Sequence, residues 1–332
     1  MNELGKNREE LSSFVAVPQA RMLQIDEGSA GQRIDNFLLH EFKGVPKSHV
    51  YRIMRSGEVR VNKGRIDATY RLILGDIVRV PPVRMPKRDA LFEVPKEKFP
   101  VLFEDDYILA IHKPSGVAVH GGSGVSFGVI EQLRQSLSHL KFLELVHRLD
   151  RETSGILLLA KKRSALLGLH EQIRNNRLDK RYIACVGREW VERQCTVKLP
   201  LCKYITAGGE RRVRVQKDGQ AAHTVFRRIE SLPPYTLLEA ELKTGRTHQI
   251  RVHLAHLGSP ILGDDKYGDF SLNKVLAKPG LKPGIKRMFL HAWRLRFTHP
   301  VLGKSIALEA PLPEDCEQFL KQLRDTLTNA KT

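Results

Sequence analysis

The feature that most restricts how this chain can fold is a break. Residues 82–99, PVRMPKRDALFEVPKEKF, hold three prolines and mixed charges without apolar periodicity. Proline fixes φ and removes a backbone donor, so neither a helix nor a central strand runs comfortably through such a stretch. It reads as a semi-extended linker. The 332 residues are thereby divided into a short unit, 21–81, and a long one, 100–332. Residues 1–20 are polar and aperiodic and read as a frayed leader. The start MNELGKNREELSSF has no apolar h-region, so no secretory signal is expected.

In the short unit, Asp35, Phe37 and Leu38 begin an amphipathic helix. Pro46-Lys47-Ser48 opens a second, which runs through Val50, Ile53 and Met54 to a helix-ending glycine, Gly57. Val59 and Val61 then alternate with polar neighbours, Asn62-Lys63-Gly64 supplies a turn, and a strand at Ile77–Val80 follows the Gly75-Asp76 turn. Lys47, Arg52 and Arg55 can share one face of the second helix. A basic hairpin (Arg60, Lys63, Arg65) follows, which favours a phosphate-tracking surface over a merely solvated helix face.

Charge supports that reading. The whole chain carries 55 Lys plus Arg against 37 Asp plus Glu, a net charge of +18. Cations placed on phosphates release condensed counterions, so a polyanion is the expected partner. An anionic membrane would attract the same charge, but apolar stretches such as Ile156–Ala160 are too short to cross a bilayer. No membrane association is expected, and the location expected is cytoplasmic.

Cofactor chemistry finds little support. Cys185, Cys195, Cys202 and Cys316 form no C-x-x-C pair and read as reduced packing thiols. His248, His253 and His256 are the best metal-ligand candidates. HExxH is absent, however, and no carboxylate follows in the run until Asp264 and Asp265, so packing or RNA contact is preferred. The run His120 to Gly124 lacks the Lys-Ser/Thr of a phosphate-binding loop and reads as a flexible loop. Neither a metal nor another cofactor is expected.

The long unit alternates short apolar strands with turns and a few helices. Strands are expected at Tyr107–Ile111, Ile156–Ala160, Arg181–Val186, Thr224–Ile229, Thr236–Leu242 and Arg294–Thr298, and a helix at Ala165–Arg174. The pattern predicts an α+β fold with a large, mainly antiparallel mixed sheet. Ahead of the buried strand lies LVHRLDRETSG (145–155), in which Asp150 sits between Arg148 and Arg151. Nearby cations favour an ionised carboxylate. Once ionised and oriented, such a group can act as nucleophile or general base. A loop aspartate in a surface salt bridge would look the same at this level.

The longer motifs carry a resemblance. QRIDNFL, PKSHVYRIMRSGEVRVNKGRI and LGDIVRVP together resemble a small α/β S4 RNA-binding domain. HRLDRETSG resembles the central motif of the RluA-type RNA pseudouridine synthases. In the same order, IHKPSGVAVHGG, KRYIACV, TGRTHQIRVHLAHLGSPILGDDKYG and FLHAWRLRFTHP resemble that family's other motifs across most of residues 100–332. The resemblance implies base flipping and isomerisation of uridines, with Asp150 as nucleophile, Arg251 as its ion-pair partner and Tyr182 stacking on the base and moving a proton. It places Lys113, His147 and Leu290 at the substrate pocket and Arg148 in the space vacated by the flipped base, where a plain phosphate contact is the alternative for Arg148. Lys47, Arg52 and Arg55 would dock RNA. The implied partner is 23S ribosomal RNA of the large subunit, or an assembly intermediate containing it, bound by a monomer. Many relatives have Gly-Lys where this chain has Gly219-Gln220, which removes one basic contact. The competing function is a non-catalytic RNA-binding factor in ribosome assembly.

Overall fold

The computed structural model describes residues 19–42, 44–83, 99–121 and 127–329. The leader up to residue 18, the linker from 84 to 98 and the 122–126 part of the glycine-rich loop lie outside them. Contacts divide the chain into two units, 1–93 and 94–332.

The first unit comprises β1 (Arg21–Gln24), α1 (Ile34–Glu41), α2 (Lys47–Arg55), β2 (Arg60–Val61) and β3 (Ile77–Val80). Its sheet has the order β1-β3-β2. Helix α2 turns Val50, Ile53 and Met54 inward and leaves Lys47, Arg52 and Arg55 exposed. It stops at Gly57, whose φ of +74° is open to glycine without strain. Gly57 N–H donates to Met54 O (3.0 Å) and Glu58 N–H to Ile53 O (3.1 Å), the paired bonds of a Schellman ending. Asp76 anchors the far turn by accepting from Ile73 N, Asn62 Nδ2 and Tyr70 Oη. The strand β1 was not expected from the sequence; it is short, mostly exposed, and defined only by its pairing with β3.

The second unit begins with β4 (Val101–Glu104), β5 (Ile108–Lys113), α3 (Val129–Ser136), β6 (Glu144–Leu145), β7 (Ser154–Ala160) and α4 (Arg163–Arg174). It continues through β8 (Asp179–Val186), β9 (Gln194–Val197), the separate hairpin β10 (Leu201–Ile205) and β11 (Arg211–Val215), then β12 (Thr224–Leu232) and β13 (Tyr235–Leu242). After α5 (Gln249–His256) and α6 (Phe270–Leu276) come β14 (Leu290–Thr298), β15 (Ser305–Glu309) and α7 (Glu314–Asn329). Ten strands form one sheet, ordered β4-β5-β7-β14-β8-β13-β12-β9, with β15 beside β14 and β6 beside β7. Every pairing is antiparallel except β14 with β7.

Strand β7 is buried along its whole length because the sheet is covered on both faces there. Successive strand residues point to opposite faces. Leu109, Ile111, Leu157 and Leu159 pack with Val129 and Leu133 of α3 and Phe319 and Leu323 of α7. Ile108, Ala110, Ile156 and Leu158 pack on the other side with Ala165 and Leu169 of α4. The sixteen-residue helix α7 was missed from sequence, although Cys316, Phe319, Leu320 and Leu323 have helical apolar spacing.

Candidate active site

The loop 147–153 enters β7 through Gly155. There φ is +110°, and a Cβ would lie 2.2 Å from the Ala292 carbonyl oxygen, so only glycine allows β7 to meet β14. Several side chains fasten the loop from behind. Lys113 Nζ donates to Pro114 O, Val117 O and Arg151 O at 2.7, 2.8 and 3.0 Å. Ser115 Oγ donates to Glu152 O, and Arg287 donates to Ser154 Oγ. What this support presents to solvent is Asp150, on the wall of a cleft of about 910 Å³ also lined by Arg148, Lys180, Tyr182, Arg251 and Leu290.

Arg148 and Arg151 flank Asp150 in the sequence, but neither pairs with it; the cation beside it is Arg251, the partner that the resemblance implies. Arg151 turns to Glu152 and to Gly116 O, and Arg148 is exposed. The cation on Asp150 is Arg251 of α5, with Nη1 3.2 Å from Oδ2. Arg251 is nearly inaccessible. Asp264 grips it through Nε–Oδ2 and Nη2–Oδ1 contacts of 2.8 and 2.7 Å, and Asp265 adds a contact at 3.0 Å. Burial opposes charge on Arg251, but the Asp264 and Asp150 carboxylates together outweigh it and hold the guanidinium pKa above the usual arginine value. Asp264 answers in kind: burial raises its pKa, and its bonds to Arg251 more than reverse that. A guanidinium fixed in this way is a rigid reference point for Asp150.

The turn before α5 is equally constrained. Gln249, at 2% exposure, accepts from Thr244 Oγ1 and Arg246 N and donates to His223 O and Thr224 Oγ1, tying residues 244–249 to β12. His248 is forced into the left-handed region at φ 53°, a conformation that clusters at functional sites. Its Nδ1 lies 2.8 Å from Tyr267 Oη and its Nε2 3.8 Å from Asp150 Oδ1.

Several expectations need correction. Lys113 is fully buried with its ammonium saturated by three carbonyls, so it fastens the Asp150 loop and is not free to contact a ligand in the cleft. Burial draws its pKa down to about 7, against which the three acceptors favour the charged form. His147 does line the cleft, as the resemblance places it, but its Nε2 accepts from Leu158 N and its pKa is lowered by burial to about 4, so it stands there as a neutral, structurally engaged acceptor. Tyr182 is buried, and burial, with Asp150 adding to it, raises the phenol's pKa well beyond the usual value. The phenol keeps its proton at neutral pH, which leaves an aromatic wall and a donor in place of a general base. The three histidines of the metal alternative diverge: His248 faces Asp150, His253 bonds Thr224 Oγ1 and Leu199 O, and His256 is exposed.

Four contributors went unassigned in the sequence: Asp264, Tyr267, Gln249 and Lys180. Lys180 lies two residues from Tyr182 on the same face of β8. Its ammonium has no partner among the described residues, and burial lowers its pKa. The spacing in KRY placed it on that face, but its missing partner could not be read from spacing.

A family model described as RNA pseudouridylate synthase matches residues 107–256, and one described as S4 domain matches residues 32–78. A Yersinia pestis protein named ribosomal large subunit pseudouridine synthase C is 50% identical over 317 residues, 94% of this chain and 98% of that protein. The chain belongs to the RNA pseudouridylate synthase family. The Escherichia coli K12 protein of the same name is 50% identical over 93% of this chain and 98% of its own length. Among solved structures, human RNA pseudouridylate synthase domain containing 4 is 28% identical, with a TM-score of 0.56 over 68% of this chain and 93% of that one. In this RNA pseudouridylate synthase the matched region contains the loop before β7, strand β8 and helix α5, which carry Asp150, Tyr182 and Arg251 respectively.

Proposed function

We propose that this pseudouridine synthase converts specific uridines of 23S ribosomal RNA, and that Asp150 is the reacting carboxylate. The observation that carries the reading is a half-buried carboxylate on the wall of a cleft of about 910 Å³, held by a guanidinium that Asp264 immobilises. The N1–C1′ bond of the uridine breaks, the base turns, and C5 joins C1′ while the C5 proton leaves and N1 regains one. Composition and oxidation state are unchanged, so no redox partner is required by stoichiometry. Asp150 acts on the nucleotide, Arg251 orients it, and Tyr182 and Leu290 offer the detached uracil an apolar wall. The target must leave its stack, at a cost of about a few kcal/mol, and Arg148, exposed beside Asp150, occupies the vacated space. Lys47, Arg52 and Arg55 on the S4 helix track phosphates. The names of the relatives support the large-subunit RNA as substrate. A monomeric, cytoplasmic enzyme is the simplest arrangement; no helix among the described residues is long and apolar enough to cross a membrane.

The test is pseudouridine mapping of a 23S transcript incubated with the purified protein and with Asp150→Ala. New pseudouridines that disappear in the variant, while salt-sensitive RNA binding persists, are expected. An RNA left unmodified by folded wild-type protein would favour the non-catalytic assembly factor.

A further inference from the structure

Asp150 has two carboxylate oxygens, and Arg251 engages only one of them. The other, Oδ1, faces His248. What that imidazole offers depends on which nitrogen carries its proton, and a neighbouring network favours one tautomer. Val213 N–H donates to Tyr267 Oη at 2.9 Å, so the phenol's own proton is free to point at His248 Nδ1, 2.8 Å away. Burial pushes the Tyr267 pKa up to about 12, so that proton stays in place at neutral pH. With Nδ1 accepting, the proton of the neutral imidazole sits on Nε2, and Nε2 is the atom aimed at Asp150 Oδ1 across 3.8 Å.

We propose that His248 is a positioning residue for Asp150, held by Tyr267 as the Nε2–H tautomer so that it donates to Oδ1 when RNA binds. The proposal rests on Asp150 being the reacting carboxylate. In the free protein the gap is longer than a hydrogen bond, which is common for catalytic contacts before substrate binds. The carboxylate would then be held at both oxygens, by a fixed cation at Oδ2 and a neutral donor at Oδ1. The charged groups facing His248 are Asp150 from the catalytic loop, Arg251 from α5, and Asp264 and Lys266 from the segment after it; burial and the two cations oppose its protonation and the two carboxylates favour it. Because the net shift is downward, the neutral donor form prevails at pH 7.

The experiment measures pseudouridine formation on a 23S transcript for wild type, Asp150→Ala, His248→Ala, His248→Gln, Tyr267→Phe and the double variant His248→Gln/Tyr267→Phe. Losing a donor to a charged acceptor should lower kcat by about ten- to a hundredfold in His248→Ala, with KM little changed. The glutamine amide can reach where Nε2 stood, so His248→Gln should recover most of that loss. Tyr267→Phe should lower kcat in the wild-type background and have little further effect beside His248→Gln, because the amide needs no tautomer set for it. The proposal is overturned if His248→Ala keeps wild-type kcat, if glutamine rescues nothing, or if Tyr267→Phe costs the same in both backgrounds. Thermal melting of each variant separates loss of fold from loss of positioning. Failure of the wild type to modify the RNA, or full activity of Asp150→Ala, would instead overturn the functional reading beneath it.

Discussion

Asp264→Asn removes one formal charge and one acceptor from the grip on Arg251 while leaving the side chain's size nearly unchanged. In the native protein Asp264 Oδ1 accepts from Arg251 Nη2, Lys266 N and Tyr267 N at 2.7, 2.8 and 2.9 Å, and Oδ2 accepts from Arg251 Nε at 2.8 Å. Asparagine keeps an oxygen for the first three donors and sets an N–H group against the fourth. Breaking a buried ion pair on one side costs about 3–5 kcal/mol. Arg251 still has Asp150 and Asp265, so the lower end, about 3 kcal/mol, is expected, a large share of a typical stability of about 5–15 kcal/mol. Both tryptophans, Trp190 and Trp293, lie in the catalytic unit. Urea unfolding followed by their fluorescence therefore reads that unit alone. Because the folded pKa of Asp264 is depressed, its contribution is present above the ordinary carboxylate value and is lost as pH falls through the folded one. The gap between variant and wild type should be full at pH 7 and shrink only below about pH 4. A gap under about 1 kcal/mol at pH 7, in an assay of this kind, would refute the claim that Asp264 neutralises a buried cation.

Gly155→Ala should abolish the folded catalytic unit, since its Cβ would stand 2.2 Å from Ala292 O; a soluble variant that melts like wild type would contradict the close approach of β7 and β14. Buried His291 accepts from Ser154 Oγ, donates to Ala310 O and has its pKa lowered by burial to about 4. Its unfolded form binds a proton at higher pH than its folded form. Stability should therefore fall from about pH 6.5 towards pH 4, by about 3 kcal/mol from this residue alone, in urea titrations across that range. Replacing Lys47, Arg52 and Arg55 together by Ala should weaken RNA binding and reduce the slope of log Kobs against log salt by about 2 to 3, as filter-binding titrations at several salt concentrations would show.

The parts of the fold legible in the sequence are those whose cause is local. Ile156–Ala160 is apolar enough to announce a buried strand, Gly57 ends α2 where a positive φ is needed, and Asn62-Lys63-Gly64 turns as its composition suggests. The strands β1 and β4 were not legible, because they are only four residues long, their residues are exposed or half-exposed, and partner pairing alone defines them. The site divides in the same way. Asp150, Tyr182 and Arg251 stand together in one cleft as their motifs imply. Local sequence offers Arg148 and Arg151 as cations beside Asp150, but the one that pairs with it, Arg251, lies 101 residues away and was legible only through the motif resemblance. Lys113 looks like an RNA contact by chemistry, but burial decides its use, and burial is a tertiary property. Asp264, Tyr267 and His248 depend on geometry that spacing does not encode.

The central claim is that Asp150 isomerises uridine in RNA. Isomerisation replaces the C5–H bond of the target with a C5–C1′ bond, so each event releases one C5 hydrogen to water. The most direct measurement is tritium release from a 23S transcript made with [5-³H]uridine, using purified wild type and Asp150→Asn, which keeps the side chain's size. The account predicts release by the wild type up to a whole number of equivalents per RNA, and none above background by the variant. Release by Asp150→Asn at the wild-type rate, or no release by folded wild type, would contradict it.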